Sequence, residues 1–94
     1  MAAYIIANVD VTDPEQYKAY QQLSTHAMKT HNVTVLARGG ETLALEGNAP
    51  KRTVILKFET MEAAEAFYNS PEYLAARQAR EGAAHMTMYV VQGV

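Results

Sequence analysis

The sequence predicts an α+β fold in which one antiparallel sheet carries helices on a single face. Three observations predict it. Two helix-start signals, Asp13-Pro14-Glu15 and Ser70-Pro71-Glu72, stand far apart in the chain. Short runs that are apolar, β-branched or alternating surround them, at residues 4–9, 33–38, 52–58 and 86–92. Those runs also hold large apolar side chains at both odd and even positions, so both faces of the sheet need cover.

The elements follow in order. Residues 4–9 form an uncharged apolar run and read as a largely buried strand. Asp13 is suited to the N-cap, where its carboxylate accepts a bond from a first-turn N–H. Pro14 is suited to the first helical position, where a missing N–H costs nothing. A helix is expected over about 14–31. Its apolar positions Tyr17, Tyr20, Leu23, Ala27 and Met28 make one stripe at helical spacing. Asn32 is a fitting terminator because asparagine tolerates the left-handed conformation. Residues 33–38 alternate as a strand, Gly39-Gly40 reads as a two-residue hairpin loop, and residues 41–46 read as a short returning arm. Residues 52–58 make the strongest strand. Thr60 caps a second helical region, which Ser70 and Pro71 divide into about 61–69 and 71–81 with a bend between. Gly82 ends it, and 86–92 is the last strand. With the short arm set aside, the order is β-α-β-β-α-β, the ferredoxin-like split βαβ arrangement.

Size and composition limit the function. The 94 residues, 10.4 kDa, are expected to form one domain spanning 1–94. Hydrophobic residues at 49% and charged residues at 19% exclude a disordered chain. Eight Lys and Arg against ten Asp and Glu give a net charge of −2, which argues against a nucleic-acid partner. The absence of cysteine excludes disulfides, thiolate metal sites and cysteine nucleophiles. No apolar stretch approaches the ~20 residues that span a bilayer. The first residues carry no basic leader, so a cytoplasmic location is expected, with no membrane partner.

Face assignment adds an assembly. Strand 52–58 sets Arg52, Val54, Leu56 and Phe58 against Thr53, Ile55 and Lys57; strand 86–92 sets Met86, Met88 and Val90 against Thr87, Tyr89 and Val91. With helices on one face only, the other is an apolar patch, and sheet-on-sheet homodimerisation is the simplest way to cover it.

An ordered set of residues also resembles a known family. Asp13-Pro14-Glu15 with Tyr17 and Tyr20 is followed by Leu36-Ala37-Arg38-Gly39-Gly40 and Leu45-Glu46-Gly47. Then come Arg52 leading into a strand that ends at Phe58, and Phe67-Tyr68-Asn69-Ser70-Pro71-Glu72-Tyr73. Together they resemble the DUF1330 family over nearly the whole chain. The resemblance implies a dimeric α+β barrel, with two ferredoxin-like sheets packed face to face and helices outside. The wider fold includes cofactor-free monooxygenases, isomerases and stress-responsive proteins, so it implies no single reaction.

Two function classes remain. One is a small-molecule-binding protein or cofactor-independent enzyme, of isomerase, lyase or monooxygenase type, acting on a small oxygenated metabolite. The other is a non-catalytic binding or stress-associated dimer. For the first, His31 is the candidate general base, because an imidazole titrates near neutrality. Arg38 and Arg52 are candidate anion holders. Tyr17, Tyr20 and Tyr68 are candidates to orient a carbonyl or phenol, and Tyr73 lies on the same helical regions. Each has a structural explanation: a half-covered histidine at a helix end, a cross-strand Arg38–Glu41 pair, an Arg52–Glu46 pair, and core aromatics with hydroxyls at the rim. His26 is expected in solvent and His85 in a loop. The histidines lack metal-ligand spacing, so neither metal nor cofactor is expected. The two classes differ in convergence: an enzyme should bring His31, Arg52 and a tyrosine into one cavity. The largest pocket is expected to touch His31, Tyr20 or Tyr68 together with Arg38 or Arg52.

Overall fold

The computed structural model describes all residues, 1–94. The chain runs β1 (Ala3–Val11), α1 (Pro14–Thr30), β2 (Thr34–Arg38), β3 (Arg52–Phe58), α2 (Met61–Tyr68), α3 (Pro71–Ala79) and β4 (Ala84–Gln92). The strands form one sheet in the order β2-β3-β1-β4, antiparallel at every pairing. Register places Ile5 opposite Leu56 and Val90, and Ala7 opposite Val54 and Met88. Ala3, Ile5, Ala7 and Val9 are therefore on the helix face, and all four are buried. The small alanines let the helices approach the middle of the sheet closely.

Local chemistry explains where the helices begin and end. Asp13 accepts from the Gln16 N–H at 3.2 Å, and Thr60 accepts from the Ala63 N–H at 3.0 Å. Ser70 makes the junction of α2 and α3. Its Oγ accepts from the Tyr73 N–H at 3.2 Å and donates to the Phe67 carbonyl at 2.7 Å. Asn32 has φ 53°, the left-handed turn expected after α1, and Gly82 has φ 80° after α3. The core is the space between helices and sheet, where Tyr17, Tyr20, Ala27 and Met28 meet Ile5, Leu56, Phe67 and Tyr73.

The segment after β2 differs from the sequence reading. Residues 41–46 are not a strand, and Gly39-Gly40 is not a two-residue hairpin loop. The Gly39 N–H donates to the Thr53 carbonyl at 2.9 Å, carrying the β2–β3 ladder one residue beyond Arg38. β2 is thus committed to β3, with a register shift between Val35 and Ala37, and the chain from 40 to 51 leaves the sheet exposed. Leu43 and Leu45 have strand-like alternation but are 83% and 87% exposed. Alternation alone cannot hold a strand that has no neighbour to pair with. His85 is also reassigned, from a loop to the outer face of β4, opposite Asp10.

Ser70→Ala removes both Oγ bonds at once. It should lower unfolding stability by about 1–2 kcal/mol in urea titration, the usual cost of a lost N-cap. A change below about 0.5 kcal/mol, the range of neutral surface substitutions, would show that the α2–α3 junction does not depend on this hydroxyl.

Candidate functional site

Helical spacing on α1 aims Tyr17, Tyr20 and Ser24 at the sheet, and all three are buried. α3 brings Tyr73 to meet them, because Ser70 starts that helix and fixes the direction of its first turn. The Tyr20 and Tyr73 hydroxyls hydrogen-bond to each other at 2.7 Å, and the Tyr73 hydroxyl points at the Met88 sulfur 4.0 Å away. Rings of Tyr17 and Tyr20 lie 5.1 Å apart, and those of Tyr20 and Tyr73 meet edge-on at 6.3 Å. Burial pushes all three phenols above their ordinary pKa of 10.0, Tyr20 most strongly. They stay protonated at neutral pH and serve as hydrogen-bond donors, not bases.

Three of the four arginines gather on this tyrosine group. Arg38 shares the helix face of the sheet with Val54. Its Nη2 donates to Thr25 Oγ1 at 2.8 Å, Ser24 Oγ at 3.2 Å and the Gln21 carbonyl at 3.2 Å. Arg52 follows the register to the same face, and its guanidinium carbon is 6.0 Å from the centre of the Tyr17 ring. It also packs against Gly39, where a Cβ would overlap it; Gly39 has φ 72° besides. Arg80, the C-cap of α3, reaches back to 5.6 Å from the centre of the Tyr20 ring. The Nε groups of Arg52 and Arg80 are buried without any hydrogen-bond partner. The ion pairs of the protein are Lys18–Glu15, His31–Glu72 and Lys51–Asp10, so no arginine is paired with a carboxylate.

Both expected carboxylate partners are absent. Glu41 and Glu46 lie in the exposed segment 40–51, and Arg38 turns to α1 instead of across a hairpin. A cavity of about 20 Å³ lies between α1, α3 and the sheet. Tyr17, Tyr20, Tyr73, Arg38 and Arg52 line it, with Met28, Met86 and Met88 among the apolar side chains. That volume is room for a single water.

His31 is elsewhere. It is the C-cap of α1, its Nε2 lies 2.7 Å from Glu72 Oε1, and its ring meets Phe67 edge-on at 5.7 Å. The His31 contact holds the Glu72 carboxyl below the usual carboxylate range. The largest groove, about 730 Å³, contains His31 with Asn32, Lys57 and Phe58 but neither Arg38 nor Arg52. The expected union of His31, an arginine and a tyrosine in one pocket therefore fails. The small internal cavity is what joins Tyr20 to both arginines. Tyr68 is half-buried outside that cavity, covered by the Arg77 guanidinium at 4.1 Å. Its ring packs on Tyr73 at 5.8 Å, so the α2–α3 bend is filled rather than open. No three His, Asp or Glu side chains group in a way that holds a metal ion.

Sequence reasoning left Tyr73 out of the ligand candidates and missed Arg80 entirely. Tyr73 carried a signal, the i+3 position after the Ser70 cap on a buried stripe. Arg80 carried none, because a basic residue at a helix C-terminus is explained by the dipole alone.

The family model for DUF1330, a domain of unknown function, matches residues 2–94. The chain belongs to the DUF1330 family. Solved structures agree on the fold. A protein of unknown function from Rhodopseudomonas palustris is similar at TM-score 0.76 and 18% identity, covering 99% of this chain and 82% of that one. A dimeric protein of unknown function and ferredoxin-like fold from Bacteroides fragilis is similar at TM-score 0.62 and 11% identity, covering 98% and 96%. SnoaB, a cofactor-independent oxygenase from Streptomyces nogalater, is similar at TM-score 0.63 and 10% identity, covering 99% and 93%. No curated protein matches the sequence. This DUF1330 chain is thus an α+β, ferredoxin-like protein whose fold also serves an oxygenase, and no helix in it is long and apolar enough to cross a membrane.

The unpaired state of Arg52 changes what its removal should do. Had Arg52 been paired with Glu46, one reading of the sequence, Arg52→Met would leave the partner charge alone. The structure holds no such partner, so the variant should unfold within about 1 kcal/mol of the parent, or later. A loss of about 3 kcal/mol or more, the cost of breaking a buried ion pair, would show that Arg52 has an anionic partner in the folded protein.

Proposed function

We propose that the protein is a small-molecule-binding member of its family, and that the cavity between α1, α3 and the sheet is its binding site. The convergence of Arg38, Arg52 and the Tyr20–Tyr73 hydroxyl pair on one cavity carries this reading. Buried polar groups without partners cost stability, and a bound ligand that satisfies them returns that cost as affinity. Arg38 and Arg52 hold the ligand, Tyr17 and Tyr20 orient its oxygen atoms, and Tyr73 joins them. With His31 on another surface, the cavity contains no group that exchanges protons near neutrality, and recognition is favoured over His31-based proton transfer. The cavity is small as it stands, but three flexible methionines in its wall adapt readily.

A compound library of small oxygenated molecules, screened by NMR on methyl-labelled methionine, tests the reading. Ligands should move the Met28, Met86 and Met88 methyl signals. Binding that instead moves only the Met1 methyl signal, in the His31 groove, would contradict it, as would a library with no binder at all.

The same reading includes a homodimer. Outside the helix layer, the sheet presents Tyr4, Ile6, Ile55, Tyr89 and Val91, with Tyr89 and Val91 52% and 44% exposed. Such a patch favours a second sheet as cover, and the Bacteroides fragilis protein of this fold is dimeric. Light scattering at micromolar concentration should give twice the 10.4 kDa chain mass, and Val91→Glu should shift it toward the single chain. A parent protein that scatters as one chain would contradict the dimer.

A further inference from the structure

We propose that the ligand of this cavity is a monocarboxylate with a compact apolar body, and that it enters past Arg38. This rests on the binding role proposed above and names the chemistry it serves. The charge arrangement comes first. The chain is acidic overall, yet three guanidinium groups are drawn to one tyrosine cluster with no carboxylate among them. Arg52, which lines the cavity, holds a buried Nε with no acceptor, an arrangement that a charged acceptor would complete; Arg80 has a like Nε but lies outside the cavity, where it adds positive charge beside Tyr20. Arg38 is satisfied only by neutral oxygens, all on the single nitrogen Nη2. A carboxylate is a stronger acceptor than a hydroxyl or a carbonyl and fits the planar guanidinium fork in two places.

The surroundings choose the rest of the molecule. Away from the polar end the cavity wall is Ile5, Ala7, Leu56 and the three methionines, with no lysine and no helix N-terminus. A phosphate would carry a second charge and a larger hydration shell into a space whose remaining wall is apolar. A carboxylate exposes only two oxygens and leaves an apolar body to meet the methionines.

The route is set by shared walls. An outer groove of about 510 Å³ runs beside α1 and β2, lined by Thr25, Lys29, Asn32 and Val35. Met28 and Arg38 line both this groove and the inner cavity. They form the partition, and Arg38 closes it by its bonds to α1. An incoming carboxylate competes with Thr25, Ser24 and the Gln21 carbonyl for Nη2, so the group that binds the anion also opens the way. Lys29 adds positive charge at the outer mouth and steers anions to it.

Titration calorimetry with benzoate, benzamide and phenyl phosphate on the intact protein tests the class. Benzoate should bind, and its neutral isostere benzamide should bind about tenfold more weakly or not at all, as the loss of a charge-assisted bond dictates. Arg52→Met should weaken benzoate by a similar factor, Arg52→Lys by less, and Arg77→Met, on the far side of Tyr68, not at all. Benzamide binding as tightly as benzoate would overturn the carboxylate while leaving the cavity a binding site. Phenyl phosphate binding more tightly than benzoate would overturn the choice of anion. Benzoate that binds while moving only signals of the His31 groove would overturn the place. If none of the three binds, while the wider library still moves the methionine methyls, the carboxylate class fails and the binding role stands; if both fail, the binding role falls with it.

Discussion

Three guanidinium groups gathered on the tyrosines and hydroxyls of α1 and α3, none bound to a carboxylate, constrain the rest of this molecule. All three are half-buried, and withdrawing a charge even partly from water without a counter-charge costs stability. Here the protein offers partial substitutes. Tyr17 and Tyr20 turn ring faces to Arg52 and Arg80, and α1 lends hydroxyls and a carbonyl to Arg38. Each substitute ties a strand or helix end to the tyrosine group. The glycine at position 39 belongs to the same constraint, since only a residue without Cβ admits Arg52 there.

The sheet supplies rigidity under that polar layer. β1 is the central strand together with β3, and its helix face is lined with Ala3, Ile5, Ala7 and Val9. Small and medium residues there leave space that the tyrosines of α1 and α3 fill. The Tyr20–Tyr73 hydroxyl bond then ties α1 to α3, with Gln16 donating to the Ala79 carbonyl at their other end. Burial keeps these phenols protonated, which suits them to donate to an oxygen atom and unsuits them to remove a proton.

Much of the fold was legible in the chain because its punctuation is chemical. Asp13, Thr60 and Ser70 cap helices for a reason that needs no tertiary context, and Asn32 and Gly82 end them for another. The site was legible in part. Strand parity put Arg52 with Phe58 on the helix face, and helical spacing put Tyr17 and Tyr20 there too. What failed needed knowledge of partners. His31 sits at the end of the right stripe, but its neighbour Glu72 is 41 residues away and takes it to the surface. Residues 41–46 alternate like a strand, but the free edge of β2 does not recruit them. Arg80 follows the last turn of its helix, and nothing local says that it folds back over Tyr20.

The central claim is that Arg52 holds a buried Nε–H with no carboxylate partner and meets an anion in the cavity it lines. Nitrogen-15 NMR of the arginine Nε–H groups reads this directly, because each Nε–H reports its own solvent access and acceptor. The account predicts slow exchange with water at Arg52 and Arg80 in the free protein. It also predicts that an added carboxylate shifts the Arg52 signal and leaves Arg77 in place. Fast exchange at both positions before any ligand is added, with no response to carboxylate, would contradict it.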